Sequence, residues 1–148
     1  MADKVEYLTA FDTVPQQYED STRLYKFYEH LRDGKLTTTK CNSCGKILWP
    51  PRIICNVCIS DDLEWIDMPE TGKIYSYTVQ VAGLPLGVDP PVVYALVDFP
   101  NGVRVYSRLV DVKPEETKIG LEVELAARET TPDFQGRTRL VPYLTLKR

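Results

Sequence analysis

Four cysteines, arranged in two short pairs, constrain this chain more than any other feature. Cys41 and Cys44 form the first pair, Cys55 and Cys58 form the second, and the 148-residue sequence contains no further cysteine. In a C-x2-C pair both thiolates can reach one metal ion from a tight turn, and two pairs supply the four ligands of a closed tetrahedral shell. The spacing therefore predicts a structural Zn2+ site within a small metal-organised ribbon over residues 35–68.

Other uses of the four thiols have to be weighed against zinc. Thioredoxin-type redox chemistry uses one C-x-x-C at the start of a helix rather than two facing pairs, which disfavours it. Two disulfides suit secreted proteins, but the run Met1–Tyr7 has no apolar leader segment, and we expect a cytoplasmic protein. An iron site of rubredoxin type takes the same four ligands, so the sequence leaves zinc versus iron open.

The two pairs differ in the residue that follows each of them. Gly45 follows the first pair, where the turn needs a positive φ, and Ile59 stands at the same place after the second. We therefore expect the second turn to be less regular than the first. Between the pairs, Trp49 precedes two prolines that cannot continue a sheet ladder, and we expect its ring to pack over the metal site.

Composition and charge restrict the class of partner. Apolar residues make up 43% of the chain, which is enough for a core, and no stretch approaches the apolar length needed to cross a bilayer. The net charge of −3 disfavours a protein that depends on phosphate contacts, since nucleic-acid-binding domains normally carry a basic excess. We therefore expect neither a membrane nor a nucleic acid as the partner.

Residues 1–34 are predicted to form an irregular arm followed by a helix. The arm either orders only against another surface, or is a frayed terminus, or packs on its own domain. Helical periodicity begins at Ser21, with Asp20 or Ser21 as the cap and Gly34 at the end. His30 lies off the apolar stripe, so we expect it at solvent. The stripe, which must be buried on the barrel or on a partner, consists of Leu24, Phe27, Tyr28 and Leu31.

Residues 69–148 have a period of two, which is typical of strands. Five strands, with a long loop after the first and a polar excursion before the fourth, favour a small OB-fold barrel, and a small β-sandwich is the alternative. The predicted fold class is thus mainly β, with an N-terminal helix, a zinc ribbon and a C-terminal five-stranded barrel. The predicted strands are Lys73–Val81, Val92–Phe99, Val103–Leu109, Leu121–Ala127 and Arg139–Leu146.

The order of these motifs resembles the DUF35 family. Lys40–Lys46 contains the first knuckle, Trp49–Arg52 reads Trp-Pro-Pro-Arg, and Thr71–Thr78 reads Thr-Gly-Lys-Ile-Tyr-Ser-Tyr-Thr at the entry to the barrel. The resemblance extends from the helix to the last strand and implies a rubredoxin-like zinc ribbon followed by an OB-fold. Ile59 departs from the family pattern, because many relatives carry glycine there.

The resemblance also implies an accessory role in acyl-CoA metabolism. Members of the family are small subunits or fused domains that pair with thiolase-fold enzymes, among them the thiolase that cleaves benzoylsuccinyl-CoA. By this resemblance the chain is a non-catalytic subunit that docks on a thiolase-fold catalytic subunit in a hetero-oligomer. It would support acyl-CoA binding, with acyl-CoA at or near the interface, and carbon–carbon bond cleavage or formation by the complex.

The residues themselves point to the same accessory role. Thiolase chemistry needs a nucleophilic cysteine, an acid–base cysteine or histidine and an oxyanion hole. Once zinc takes all four thiols, the chain has no free cysteine, and its single histidine is His30. A closed tetrathiolate site has no open position for water either. The chain is therefore poorly equipped to catalyse alone.

Basic residues on the ribbon are the candidates for contacting CoA. The phosphates of CoA favour Arg or Lys, often with an aromatic side chain for the adenine. Lys40, Lys46 and Arg52 lie close to Trp49 in the sequence, and Arg52 is the strongest candidate because two prolines fix its approach.

A second function class remains open from the sequence. An OB-fold barrel can bind single-stranded nucleic acid by stacking bases on aromatic side chains. Tyr75, Tyr77 and Tyr94 lie on predicted barrel strands and are the candidate platforms. The acidic balance of the chain opposes this alternative.

Overall fold

The computed structural model describes residues 12–85 and 87–148, so residues 1–11 of the irregular arm predicted before Ser21 lie outside that part. The predicted fold class is confirmed: a short helix precedes a three-stranded ribbon and a closed five-stranded barrel. The elements are α1 Tyr25–Arg32, β1 Thr37–Cys41, β2 Ile47–Leu48, β3 Leu63–Asp67, β4 Thr71–Gln80, β5 Val92–Asp98, β6 Arg104–Leu109, a 3-10 turn Pro114–Glu116, β7 Glu122–Thr130 and β8 Arg139–Leu146.

The ribbon is an antiparallel sheet in the order β2-β1-β3. Its central strand β1 pairs Thr39 with Leu48 on one side and with Trp65 on the other. Three consecutive threonines of β1, Thr37 to Thr39, are buried although they are polar. Because buried hydroxyls need hydrogen-bond partners, these side chains act as fixed points for the loops around them.

The barrel closes in the order β4-β5-β6-β8-β7, with β7 returning to β4. Closure uses one parallel contact, in which Leu109 of β6 pairs with Leu144 of β8. Along β5 and β6 buried positions alternate with more exposed ones, and the buried positions are apolar except for Ser107, as a small filled barrel requires. Its fully or nearly fully buried core includes Ile74, Val93, Ala95, Val97, Val105, Leu109, Val123 and Leu144.

The helix is shorter than its sequence pattern predicts, because it begins at Tyr25 rather than Ser21. The Ser21 and Thr22 amides instead donate to the Tyr18 carbonyl, which makes a turn ahead of the helix. The apolar stripe is buried within the chain: Phe27 and Leu31 are buried, and the Phe27 ring meets the ring of Trp49 edge-on at 6.2 Å. The stripe therefore joins the helix to the ribbon.

His30 is not a solvated surface residue as predicted. Its Nδ1 lies 2.9 Å from the hydroxyl of the buried Thr37, and its ring meets Trp65 edge-on at 5.6 Å. A half-buried histidine held between a helix and a sheet has a packing role. The periodicity misses this because Thr37 and Trp65 belong to other elements.

Residues 12–20 are ordered against the barrel of their own chain. The Gln17 side chain is buried and bonds the Leu140 backbone twice, donating to its carbonyl at 2.8 Å and accepting from its amide at 2.9 Å. The Tyr18 hydroxyl donates to the Thr138 carbonyl at 2.8 Å. We call residues 12–20 the clasp, since they fasten the start of the described chain to the last barrel strand.

Two arginines from the end of the chain bind the clasp and hold it on the barrel. Arg139 is 1% exposed and donates to the Asp12 carboxylate and to three backbone carbonyls. Nearly all N–H groups of its guanidinium therefore have an acceptor. Arg137 joins Asp20 to Asp133 and stacks over the Tyr18 ring at 4.2 Å. Burial tends to raise the pKa of Asp133, but the Arg137 backbone and side-chain N–H groups outweigh it and hold that pKa below its usual range.

Among the described residues, no helix is long and apolar enough to cross a lipid bilayer.

Candidate metal centre

The fold brings the four cysteines to one point. Their sulfurs all lie within 4.8 Å of one another, with 3.5 Å between Cys41 and Cys58 and 3.6 Å between Cys44 and Cys55. A tetrahedral zinc site with sulfurs ~2.3 Å from the ion places the sulfurs roughly 3.8 Å apart. The cluster therefore fits a tetrathiolate ion, and its distances are too long for S–S bonds.

The sulfurs differ in how readily they lose a proton. The backbone N–H groups of Cys58 and Val57 lower the pKa of Cys55 to about 6. The Ser60 N–H lowers the pKa of Cys58. The three neighbouring sulfurs and burial outweigh this effect and raise the pKa of Cys58 to about 12. Four thiolates at this distance repel one another, and a divalent cation at their centre removes that repulsion.

The two knuckle turns have the same backbone geometry, which corrects the expectation of an irregular second turn. The Gly45 N–H donates to the Cys41 carbonyl at 2.8 Å, and the Ile59 N–H donates to the Cys55 carbonyl at 3.1 Å. Both residues have a left-handed backbone conformation, with φ of 76° at Gly45 and 63° at Ile59. A β-branched residue at positive φ is an outlier that costs about 1–2 kcal/mol.

Aliphatic side chains, rather than Trp49, pack on the cysteines. The buried Cys41 and Cys55 form one apolar cluster with Leu48, and Leu63 packs against it. Trp49 turns the other way and packs against the barrel core and the Phe27 ring. The prediction that its ring covers the metal site is therefore wrong, and the ring instead connects the ribbon to the barrel.

The chain between the knuckles is held by threonines of β1. The Thr39 hydroxyl accepts from the Arg52 amide and donates to the Arg52 carbonyl, each at 3.0 Å. The neighbouring Thr38 hydroxyl donates to the Leu48 carbonyl. The backbone that leads into the second knuckle is thus fixed by one side chain, a contact between residues 13 positions apart.

The three basic candidates on the ribbon have different surroundings. Lys46 lines a cleft of about 470 Å3 between the ribbon and the barrel, together with Trp49 and Arg104. Lys40 and Arg52 do not line that cleft. The Arg52 side chain is exposed, and no described carboxylate forms an ion pair with it within residues 12–85 and 87–148.

An aromatic face on the outside of the barrel was only partly anticipated from the sequence. Tyr94 stacks on Tyr106 with ring centres 5.7 Å apart, and Tyr106 is 65% exposed. The Arg104 guanidinium lies 3.7 Å above the Tyr75 ring while it pairs with Asp98. Strand alternation could have found Tyr106 and Arg104, because both occupy outward positions of β6.

Comparisons with known proteins agree with this architecture. Residues 29–64 match the family model described as the rubredoxin-like zinc ribbon domain of ChsH2, and residues 65–128 match its C-terminal OB-fold domain. A DUF35 domain-containing scaffold protein of Methanocaldococcus jannaschii is 34% identical over 109 residues, which cover 72% of this chain and 77% of the relative. The chain belongs to the DUF35 family. A zinc-ribbon match and four clustered cysteines together support a structural zinc.

Two further relatives are parts of acyl-CoA or aldolase assemblies by name. The benzoylsuccinyl-CoA thiolase subunit BbsA of Thauera aromatica is 26% identical over 104 residues, covering 70% of each chain. A chain of the solved Ltp2-ChsH2(DUF35) aldolase superposes with a TM-score of 0.68 and 27% identity, covering 82% of this DUF35 chain and 91% of the other. An accessory role for a DUF35 protein with a zinc ribbon is thus supported by both sequence and structure.

Proposed function

We propose that this DUF35 chain is a non-catalytic, zinc-containing subunit that docks on a thiolase-fold catalytic partner. In the complex it supports acyl-CoA binding and carbon–carbon bond cleavage or formation. The observation that carries the proposal is the family match, since its relatives are named as a scaffold protein and as a thiolase subunit. The cluster of all four thiols adds to it, because thiols used on a closed metal site cannot serve as nucleophiles.

Within this proposal Cys41, Cys44, Cys55 and Cys58 hold the zinc ion. Bound by four thiolates, the ion organises the ribbon and performs no chemistry on a substrate. The ribbon's own residues would then present a fixed surface: threonine hydroxyls hold the loops, and the Trp49 ring joins the ribbon to the barrel.

The partner is tested by purification of the complex. The full chain with a C-terminal tag is expressed in its source cell, and co-purifying chains are identified by mass spectrometry. We expect a thiolase-fold subunit in a fixed ratio, together with CoA-dependent activity that needs both chains. Recovery of the tagged chain alone, with full activity of the thiolase-fold subunit without it, would contradict the proposal.

Direct contact with CoA is a finer part of the proposal. Lys46 has the best surroundings, because its cleft also contains the indole ring of Trp49. Arg52 and Lys40 remain candidates on the outside of the ribbon. In the reconstituted complex, Lys46→Ala and Arg52→Ala are each expected to raise the KM for acyl-CoA several-fold with zinc retained, whereas the exposed Lys118→Ala serves as a control. An unchanged KM in both variants would argue against the contact.

Single-stranded nucleic acid is the second candidate, and the aromatic face favours it. The Tyr94–Tyr106 stack and the exposed Tyr75 ring offer flat surfaces of the kind that bases stack on. Against it, Arg104 is already paired with Asp98, and the chain is acidic overall. Fluorescence anisotropy with a labelled oligothymidylate at low salt distinguishes the two, and saturable binding that Tyr106→Ala abolishes would favour the nucleic acid.

A further inference from the structure

The tip of the second knuckle is apolar and exposed. Four β-branched aliphatic side chains occur between residues 53 and 59, and each leaves much of its surface in water. Clustered exposed apolar side chains mark interaction sites more often than scattered ones do. The exposed fractions are 40% for Ile53, 50% for Ile54, 60% for Val57 and 73% for Ile59.

The first knuckle serves as an internal reference. Its backbone turn is the same, yet its exposed positions hold Asn42, Ser43, Gly45 and Lys46. Building a four-cysteine site thus requires no exposed aliphatic residue. The apolar tip of the second knuckle is an addition to the metal site and not part of its construction.

The backbone of Ile59 is a second, independent indication that the exposed aliphatic residues have a function. Its backbone is left-handed, a conformation that glycine adopts without cost and that the first knuckle fills with Gly45. The most exposed of the four side chains therefore sits where a side chain is least favourable. Strain that persists at an exposed position indicates that the side chain itself is used.

We propose that the tip formed by Ile53, Ile54, Val57 and Ile59 is an anchor that inserts into an apolar recess of the catalytic subunit. This inference rests on the proposed function, because it names the surface by which the chain docks. Four side chains bury much less than the roughly 800 Å2 per partner of a standard interface, so the anchor is one part of a larger contact.

The charges next to the tip define the recess further. Arg52 precedes the aliphatic run, is exposed and forms no ion pair with a described residue in 12–85 or 87–148. An anionic group should therefore lie at the rim of the recess, opposite Arg52, and a phosphate of the acyl-CoA bound near the interface meets that requirement. The exposed Asp61 and Asp62 follow the tip and disfavour an anionic membrane surface.

The test measures the affinity of the purified thiolase-fold subunit for four forms of this chain by biolayer interferometry. Ile54→Ser truncates the tip at a residue with ordinary backbone geometry, and Ile59→Gly removes both the side chain and the strain. Ile119→Ser is the matched control, because Ile119 is 68% exposed and belongs to the barrel domain rather than to the ribbon. Zinc content and thermal midpoint are recorded for each form.

We expect Ile54→Ser and Ile59→Gly each to weaken binding about tenfold. Ile119→Ser should bind like the unmodified chain. Ile59→Gly should at the same time raise the thermal midpoint, so that a more stable protein binds less well. A merely structural role of Ile59 predicts the higher midpoint without the weaker binding.

Other outcomes overturn the inference in distinct ways. If the subunit binds the unmodified chain and both tip variants equally, the anchor is wrong and the proposed function stands. If no thiolase-fold subunit binds the unmodified chain, the proposed function fails as well. Sedimentation with vesicles of phosphatidylcholine and phosphatidylserine that Ile54→Ser abolishes would assign the tip to lipid. A dimer in analytical ultracentrifugation that the same variant dissociates would assign it to a second copy.

Discussion

The two cysteine knuckles share a backbone but not a surface. Each closes its turn through an amide that donates back to the first cysteine of its pair, and each places a left-handed residue after the second cysteine. The first knuckle satisfies this geometry with Gly45 and polar neighbours, whereas the second does so with Ile59 among exposed aliphatic residues. The metal site therefore determines the backbone conformation of both knuckles, but it does not determine which side chains the knuckles expose.

Removal of the metal should have the largest effect and should affect both knuckles equally. Structural zinc contributes on the order of 10–16 kcal/mol to small metal-organised units, so Cys41→Ser and Cys55→Ser should each release the ion and unfold the ribbon. Zinc analysis with limited proteolysis checks this, and residues 69–148 should stay protected. If only one variant loses zinc, the pairs do not share an ion; if the barrel is degraded too, the predicted boundary at residues 68 and 69 is wrong.

Transfer of the isoleucine to the first knuckle should show what the left-handed position costs. Nothing lies within 4 Å of a Cβ built on Gly45, so Gly45→Ile meets no clash and its cost is that of the backbone alone. We expect a loss of about 2 kcal/mol, with Gly45→Ala close behind because both carry a Cβ. Urea unfolding of the zinc-loaded protein measures it. Equal stability of all three forms would show that the positive φ does not constrain the turn.

Loss of the two hydrogen bonds from the Thr39 hydroxyl to the Arg52 backbone should affect the second knuckle alone. Thr39→Val keeps the shape of the side chain but removes the two bonds to the Arg52 backbone, which should cost about 1–2 kcal/mol. The exposed Thr78→Val on β4 is the matched control. Hydrogen exchange should rise at the amide of Arg52 and remain unchanged at that of Gly45. A uniform rise over both knuckles would mean that β1 itself has been loosened.

Relief of the strain at Ile59 should give the smallest effect. Ile59→Gly removes the unfavourable contact of the left-handed turn but adds entropy to the unfolded chain, so the net gain should be about 1 kcal/mol or less. Urea unfolding under the conditions used for Gly45→Ile gives the comparison. A loss of stability would show that the Ile59 side chain contributes packing that outweighs its strain.

Local features of this chain were predictable from its sequence, and long-range ones were not. The ligand cluster follows from the spacing of Cys41 to Cys58, and the last strand lies at Arg139–Leu146 as predicted, since both depend on short patterns. The contacts of Trp49 and His30 join different elements, so periodicity along one element cannot find them. The regular turn at Ile59 was missed because residue preference opposes it and the geometry of the knuckle overrides that preference.

The helix start shows the same limit on a smaller scale. Helical periodicity predicts a start at Ser21, one turn before the observed start at Tyr25. Ser21 and Thr22 instead form a turn on the Tyr18 carbonyl, and the Tyr18 hydroxyl in the clasp reaches Thr138. A contact between residues 120 positions apart leaves no local signal in the sequence.

The clasp has a consequence for the order in which the chain acquires its structure during synthesis. Gln17 leaves the ribosome 123 residues before its partner Leu140. Until then the Arg139 site does not exist, and residues 12–20 lack the partners that they have at residues 138–140. The ribbon, whose ligands are close in sequence, can bind its ion long before the barrel closes. Fastening of the first described residues therefore requires that β8 has been synthesised, whereas the ribbon can form before it.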